Sequence, residues 1–121
     1  MNKLLEIEIF NTNQFLGLQF APGALNAMVS KFQKNEGKTF GELGVQKSPI
    51  INLKNVSHEV KNVRVDGARV LCDIEILDTP SGRILNNFTH CLVPKPRIIA
   101  SKSDCEIENS TLITIDFDIC K

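Results

Sequence analysis

Two histidines, His58 and His90, are the chain's only imidazoles, and imidazole is the side chain best suited to move a proton near neutral pH. The possible serine nucleophiles include Ser57 beside the first, and Ser81, Ser101 and Ser103 on either side of the second. Acyl transfer by serine needs a hydroxyl within hydrogen-bond reach of a base that a third group orients. Ser57 and His58 are neighbours on an expected strand, where successive side chains point to opposite faces, so a direct pairing is not expected. His90 with Ser101 or Ser103, or with Cys91 or Cys105, remains open, and nothing in the spacing favours it. Lys95 and Arg97 flank Pro96 and could grip a carboxylate or phosphate. Their plainer use is to keep an exposed strand edge from pairing. Four cysteines, at 72, 91, 105 and 120, lack the C-x-x-C spacing of a zinc site. No metal or cofactor is implied.

The elements that must position these groups are mostly strands. "LLEIEIF" sets Leu5, Ile7 and Ile9 on one face and Glu6 and Glu8 on the other, a half-buried strand. "NTNQ" reads as a loop, and "FLGLQF" as one weaker strand. "APGALNAMVSKFQKNEG" predicts the main helix over about 22–34. Pro22 suits its first turn, Leu25, Met28, Val29 and Phe32 form one apolar stripe, and Gly37 is a natural stop. "HEVKNVRVDGARVLCDIEIL" reads as a hairpin turning at Asp66-Gly67. Val70, Cys72, Ile74 and Ile76 share a face of its return strand. The apolar phase slips on the outgoing strand between Val60 and Val63, which predicts a bulge near Lys61-Asn62. "DTPSG" is a turn by composition. "RILNNF" predicts a short helix over about 83–88, with Ile84, Leu85 and Phe88 inward. Pro94 and Pro96 make "CLVPKPRIIAS" an edge strand or an extended loop. "TLITIDFDI" places Ile113, Ile115, Phe117 and Ile119 inward and Thr114, Asp116 and Asp118 outward.

A chain of 121 residues is one domain, 1–121, by length. The expected fold is mostly β (α+β): a compact six- to seven-stranded antiparallel barrel or closed sheet, with the helix covering an opening. Fourteen basic residues balance fourteen acidic ones, which argues against a nucleic-acid partner held by phosphate neutralisation. Tyr and Trp are absent, so base or sugar stacking has little to rest on. The opening "MNKLLEIEIF" does not read as a signal peptide, because glutamates interrupt its apolar run. No stretch approaches the ~20 apolar residues of a membrane span, so no membrane partner is expected. Free thiols in a reducing cytosol are expected, with Cys72 as a small buried hydrophobe. Charge is segregated: Arg83, Lys95, Arg97 and Lys102 form a run without an acid, and five acids from Asp104 to Asp118 form a run without a base. Solvated faces and complementary patches that meet another copy or a partner are both consistent with this.

Residues 41–85, "GELG…SPIINLKNVSHEVKNVRVDGARVLCDIEILDTPSGRIL", carry a specific resemblance. They resemble the prohead maturation proteases of tailed bacteriophages, in which "GEL-x-HP" leads to "NVSH", a "dG-x-V-x-G" hairpin and "iLdTPsGriL". "TLITIDFDI" is similar to that family's late "lltfDlv" strand, and "ALNAMVSKFQ" sits where the family has a helix. The resemblance spans roughly residues 20–119. It implies a compact β-barrel like that of herpesvirus assemblins and an origin among serine proteases that cleave scaffold and capsid proteins inside immature heads. In that family the histidine of "GEL-x-HP" is the base and the first serine of a later "VSSRG" is the nucleophile. Gly41, Glu42 and Leu43 match, but Val45 occupies the histidine position. The nearest counterpart of "VSSRG" is "VPKPRI", where Arg97 matches the arginine and Lys95 and Pro96 occupy the serine positions. Both reactive groups are therefore expected to be missing, leaving His58, His90 and Ser101 as residual candidates.

Three functions follow from the resemblance and the residues. The first is a non-catalytic phage structural or assembly protein, bound to capsid or other head proteins as a decoration, internal head or scaffold-partner protein. It would reside in the virion, or in the host cytoplasm during assembly, and could form a homo-oligomer. The second is an active serine protease with a relocated site. The third is a small-ligand-binding accessory protein that uses the old cleft, with Lys95 and Arg97 as binding residues.

Overall fold

The computed structural model describes residues 3–10, 14–15, 18–20, 23–35, 37–44, 50–67, 69–103 and 106–119. Eight strands and two helices lie among them. In chain order these are β1 (Lys3–Phe10), β2 (Gln14–Phe15), β3 (Leu18–Phe20), α1 (Ala24–Gln33), β4 (Thr39–Glu42), β5 (Val56–Asp66), β6 (Arg69–Ile76), α2 (Pro80–Asn86), β7 (Leu92–Ser103) and β8 (Glu106–Ile119). Single 3₁₀ turns cover Leu53–Asn55 and Thr89–Cys91.

The strands form two four-stranded sheets, ordered β1-β6-β5-β4 and β2-β3-β8-β7. Every pair is antiparallel except β3 with β8. This corrects the expected barrel or closed sheet: among the described residues the two sheets do not join into one continuous ladder. The pairing of β4 with β5 shifts register after Gly41. The chain then touches β8 through one isolated bridge, Leu43 with Phe117, and one hydrogen bond from Gly44 N–H to the Phe117 carbonyl at 2.7 Å. "FLGLQF" is also not one strand. Gln14 and Phe15 pair back on Gln19 and Leu18 as a small antiparallel unit.

Helix α1 is the expected one, shortened at both ends. It starts after Gly23, and Lys34 caps it before Gly37 is reached. Pro22 lies outside the described residues. Leu25, Met28, Val29 and Phe32 are all buried, and the helix packs on β8 and β5. Burying four such side chains stabilises the fold by roughly 1.5–3 kcal/mol each. The β5–β6 hairpin follows the sequence pattern closely. Asp66 pairs with Arg69 across the turn. The expected bulge falls between Lys61 and Arg64, with Asn62 at φ 53°. Val70, Cys72, Ile74 and Ile76 are buried together.

Helix α2 begins earlier than the sequence pattern suggests. Thr79 accepts a hydrogen bond from Gly82 N–H at 2.9 Å and Pro80 opens the first turn, so part of "DTPSG" is a capped helix start rather than a free turn. A Cβ on Gly82 would lie 1.9 Å from the Leu77 carbonyl oxygen and 2.9 Å from that of Ser57. Only glycine lets the helix settle this close to β5. That seating turns Leu85 fully inward, while Ile84 and Phe88 stay 48% and 39% exposed, contrary to the inward placement expected of all three.

Among the described residues, strand β7 pairs only with β8 and is an edge, as its two prolines require. The register lays Lys95 opposite Asp116 and Ser103 opposite Glu106, so the β7 part of the basic run faces the acidic run across one hairpin, while Arg83 lies on α2 and pairs with Asp78. On β8, Ile115 and Phe117 are buried as expected, but Thr114 and Asp116 are buried too. Cys72 is a free, buried thiol, and burial pushes its pKa up to about 12. Cys91 is disulfide-bonded, which corrects the expectation that all four thiols are free.

The seating of α2 has a direct test in urea denaturation. Leu85→Ala should cost about 2–5 kcal/mol, whereas Ile84→Ala should cost under about 1 kcal/mol. Equal losses at the two positions would contradict this orientation.

Candidate functional site

Strands β4, β7 and β8 converge on a buried charge cluster. Arg97 on β7 donates from Nε to Asp116 Oδ2 at 3.0 Å, and from Nη2 to Asp116 Oδ1 at 2.7 Å and Glu42 Oε2 at 2.9 Å. Its Nη1 donates to the Ile50 carbonyl at 3.2 Å. Glu42 N–H donates to Asp116 Oδ1 at 2.9 Å, and Asn52 N–H donates to Glu42 Oε2 at 3.1 Å. The Asn55 amide reaches Glu42 Oε1 at 3.4 Å and the Leu43 carbonyl at 2.9 Å. It is held in turn by the Ser81 hydroxyl at 2.8 Å. Burial alone would raise the Glu42 carboxyl, but the hydrogen bonds from Arg97, Asn52 and Asn55 outweigh it and hold the group below its ordinary range. Burial alone would lower Arg97, and its hydrogen bonds to Asp116 and Glu42 raise it instead. Glu42 and Arg97 are thus held in their charged forms, and the Arg97 guanidinium is hydrogen-bonded to both carboxyl groups, the condition under which buried ions are tolerated.

Beside this cluster on β5 lie Ser57 and His58, both wholly inaccessible to solvent. Ser57 Oγ sits 2.7 Å from His58 Nδ1, and His58 Nε2 sits 2.6 Å from the Ile115 carbonyl oxygen. A carbonyl only accepts, so Nε2 carries the proton and donates. Burial lowers His58 below its ordinary value, with the Ile115 bond and the Asp116 charge opposing in part. In the neutral ring Nδ1 then accepts from the Ser57 hydroxyl. The ring also meets Phe117 edge-on, with centroids 4.8 Å apart. Gly41 makes room for all this: a Cβ there would lie 2.1 Å from His58 Nε2 and 2.3 Å from the Ile115 oxygen.

The expectation that Ser57 and His58 cannot meet is therefore corrected. Their Cβ atoms do alternate, but Oγ is one bond from its Cβ and Nδ1 two from its own. Atoms that close to the main chain can meet across it. His90 is not brought to Ser101 or Ser103, and Cys105 lies outside the described residues. His90 is exposed in the turn before β7, and Ser101 pairs by its backbone with Asn109 near the far end of the strand, on the order of 30 Å away at the rise of a β-strand. Lys95 is exposed, Pro96 is partly buried and Arg97 is turned into the charge cluster. Val45 lies outside the described residues. A cleft of about 710 Å³ opens elsewhere, over the β5 bulge, lined by residues such as Phe32, Thr39, Glu59, Asn62 and Arg64. Neither Lys95 nor Arg97 lines it.

Sequence reasoning missed Glu42 and Asp116 as partners of Arg97. A signal was present. The three are the Glu of "GEL", the Arg that matches "VSSRG" and the Asp that matches "lltfDlv". Three letters of separate motifs meet in one cluster.

The two sheets, the α1 cover and this cluster of motif residues define a fold of the prohead maturation protease type. Among solved structures, that of the bacteriophage T4 capsid assembly protease, gp21, is similar to the chain. The TM-score is 0.78 at 14% sequence identity, over 95% of this chain and 80% of that chain. No family model and no curated protein sequence matches. At that identity the likeness establishes the fold, and activity must be argued from the site.

Removing one member of the cluster leaves a buried charge unpaired. Arg97→Met should therefore cost about 3–5 kcal/mol in urea denaturation. A loss below about 1 kcal/mol would mean the cluster is not closed in solution.

Acid should act in two steps. Native His58 titrates below its ordinary 6.5, so below about pH 6.5 the unfolded chain binds a proton that the native protein does not, and stability falls with falling pH. Glu42 titrates below its ordinary 4.5, so its contribution is complete above about pH 4.5 and is lost as the pH falls through its native value. The urea midpoint, followed from about pH 8 to pH 3, should show both declines. His58→Gln should flatten the first and leave the second.

Proposed function

We propose that this chain is a non-catalytic structural or assembly protein of a phage head, bound to capsid or other head proteins and present in the virion or in the host cytoplasm during assembly. The observation that carries this is the complete burial of the Ser57–His58 contact. A nucleophile must meet a carbonyl carbon, and neither Oγ nor the ring has any surface. Three further features support the reading. Lys95 and Pro96 stand at the family's serine positions. The retained motif residues Glu42, Arg97 and Asp116 bind one another. The likeness to a capsid assembly protease points to a partner within the head.

A second reading, a serine protease with a relocated site, has one observation in its favour. A hydroxyl 2.7 Å from an imidazole nitrogen whose other nitrogen is anchored is the contact that activates a serine.

A fluorophosphonate probe separates the two. The native chain should remain unlabelled and leave head proteins uncut on incubation. Stoichiometric labelling of Ser57, lost in Ser57→Ala, would establish the second reading instead. Mass spectrometry of purified phage heads tests the location. The chain should be present in immature or mature particles, and its absence from both would overturn the assignment to the head.

A further inference from the structure

The cleft of about 710 Å³ over the β5 bulge takes no part in the charge cluster or in the Ser57–His58 contact. It opens at the end of β4, where Thr39 pairs with Val60. Among the described residues, the β5 positions beyond Val60 pair only with β6. The end of α1 lines the cleft as well, through Phe32, Gln33 and Asn35. The walls are braced. Gln33 Nε2 donates to the Val63 carbonyl at 2.8 Å, Arg64 Nη1 to the Asn62 carbonyl at 2.9 Å, and Asn62 Nδ2 to Asp73 Oδ2 at 3.0 Å. A volume of this order holds a small ligand or a long side chain.

Glu59 lines this cleft and is only 9% exposed, yet it is short of partners. The register sets it directly opposite Glu75, and like charges in that position oppose the pairing. Lys61 Nζ is shared unequally between them, 2.7 Å from Glu75 Oε1 and 4.0 Å from Glu59 Oε1, and the longer distance is beyond a hydrogen bond. Asp73, which also lines the cleft, is by contrast taken up by Asn62 and Arg64. Arg64 is paired with Glu6 as well. Four carboxylates, Glu6, Glu59, Asp73 and Glu75, thus stand against two basic groups, Lys61 and Arg64. Lys34 and Lys38 do not line the cleft. Burying a carboxylate without hydrogen bonds is costly, and a cationic donor satisfies it best. We infer that the cleft is a binding site for a basic side chain of a partner protein, arginine or lysine, whose cationic head hydrogen-bonds to Glu59 and whose methylene stem lies along Phe32, Val60 and Val63. Long basic side chains use apolar surface in this way, and the same apolar lining gives a bare metal ion nothing to bind. The proposed head location would make the partner a head protein, but the site does not depend on it.

The test titrates the full, isotope-labelled chain with N-acetyl-arginine methylamide and N-acetyl-lysine methylamide, up to tens of millimolar, and follows the backbone amide shifts. Amides at the cleft, those of Thr39, Glu59, Asn62 and Val63 among them, should shift and saturate with at least one of the two. N-acetyl-citrulline methylamide has arginine's shape without its charge and should give no saturable shift. Raising the salt from about 20 mM to about 300 mM should weaken binding severalfold. Glu59→Gln, shown to be folded by its own amide spectrum, should weaken it about tenfold or more. The citrulline comparison uses the native chain and stands whatever the variant does to folding. Equal binding of the citrulline and arginine compounds, undiminished binding by folded Glu59→Gln, saturable shifts confined to residues outside the cleft, or no saturable shift with either cation would each overturn the inference. So would tighter binding of putrescine, which would make the site one for a small polyamine.

Discussion

The pairing of Arg97 with Asp116 and Glu42 holds the two sheets in their relation. Glu42 ends β4 in one sheet, while Arg97 and Asp116 sit on β7 and β8 of the other. Where the backbone ladder between the sheets shrinks to the Leu43–Phe117 bridge, the side chains take over the connection. Desolvating three ions costs several kcal/mol per ion unless hydrogen bonds satisfy them. The Asn52 amide, the Asn55 side chain and the Glu42 N–H supply such bonds. The segment from Ile50 to Asn55 is thereby folded onto the cluster, and Ser81 on α2 is tied to it through Asn55.

This arrangement also explains why Ser57 and His58 have no access to solvent. Residues Val56 to Val60 are buried on both faces of β5. Helix α2 packs against that strand, drawn in by Gly82 and by the Thr79 hydroxyl, which donates to the Val56 carbonyl at 2.5 Å. On the other side, Ile115 and Phe117 of β8 meet the imidazole. A histidine sealed this way is most stable neutral, with one nitrogen donating and the other accepting. The geometry that looks like activation is also the one that satisfies two buried polar side chains.

The charge runs illustrate how a sequence pattern can have a cause that sequence alone does not show. Read along the chain, bases gather before residue 103 and acids after it. Folded, Lys95, Arg97 and Lys102 lie on β7 and the acids from Glu106 to Asp118 on β8, the two arms of one antiparallel hairpin, and Arg97 pairs with Asp116 across it. Opposite charges on facing strands stabilise the pairing. Part of the segregation therefore serves strand pairing within the molecule.

Short-range periodicity was sufficient for α1, for the β5–β6 hairpin and its bulge, and for β7 as an edge, because each depends on residues close in sequence. The motif letters of residues 41–85 were sufficient for the fold type. The tertiary structure decided the rest. It placed Thr114 and Asp116 inside although alternation put them outside, because a second layer covers that face. It turned Ile84 and Phe88 outward, because Gly82 sets how α2 rests on β5. It joined Ser57 to His58, and Glu42 to Arg97 and Asp116 over 55 and 74 positions. Such contacts depend on where distant strands stop and cross, and no local pattern of side chains records that.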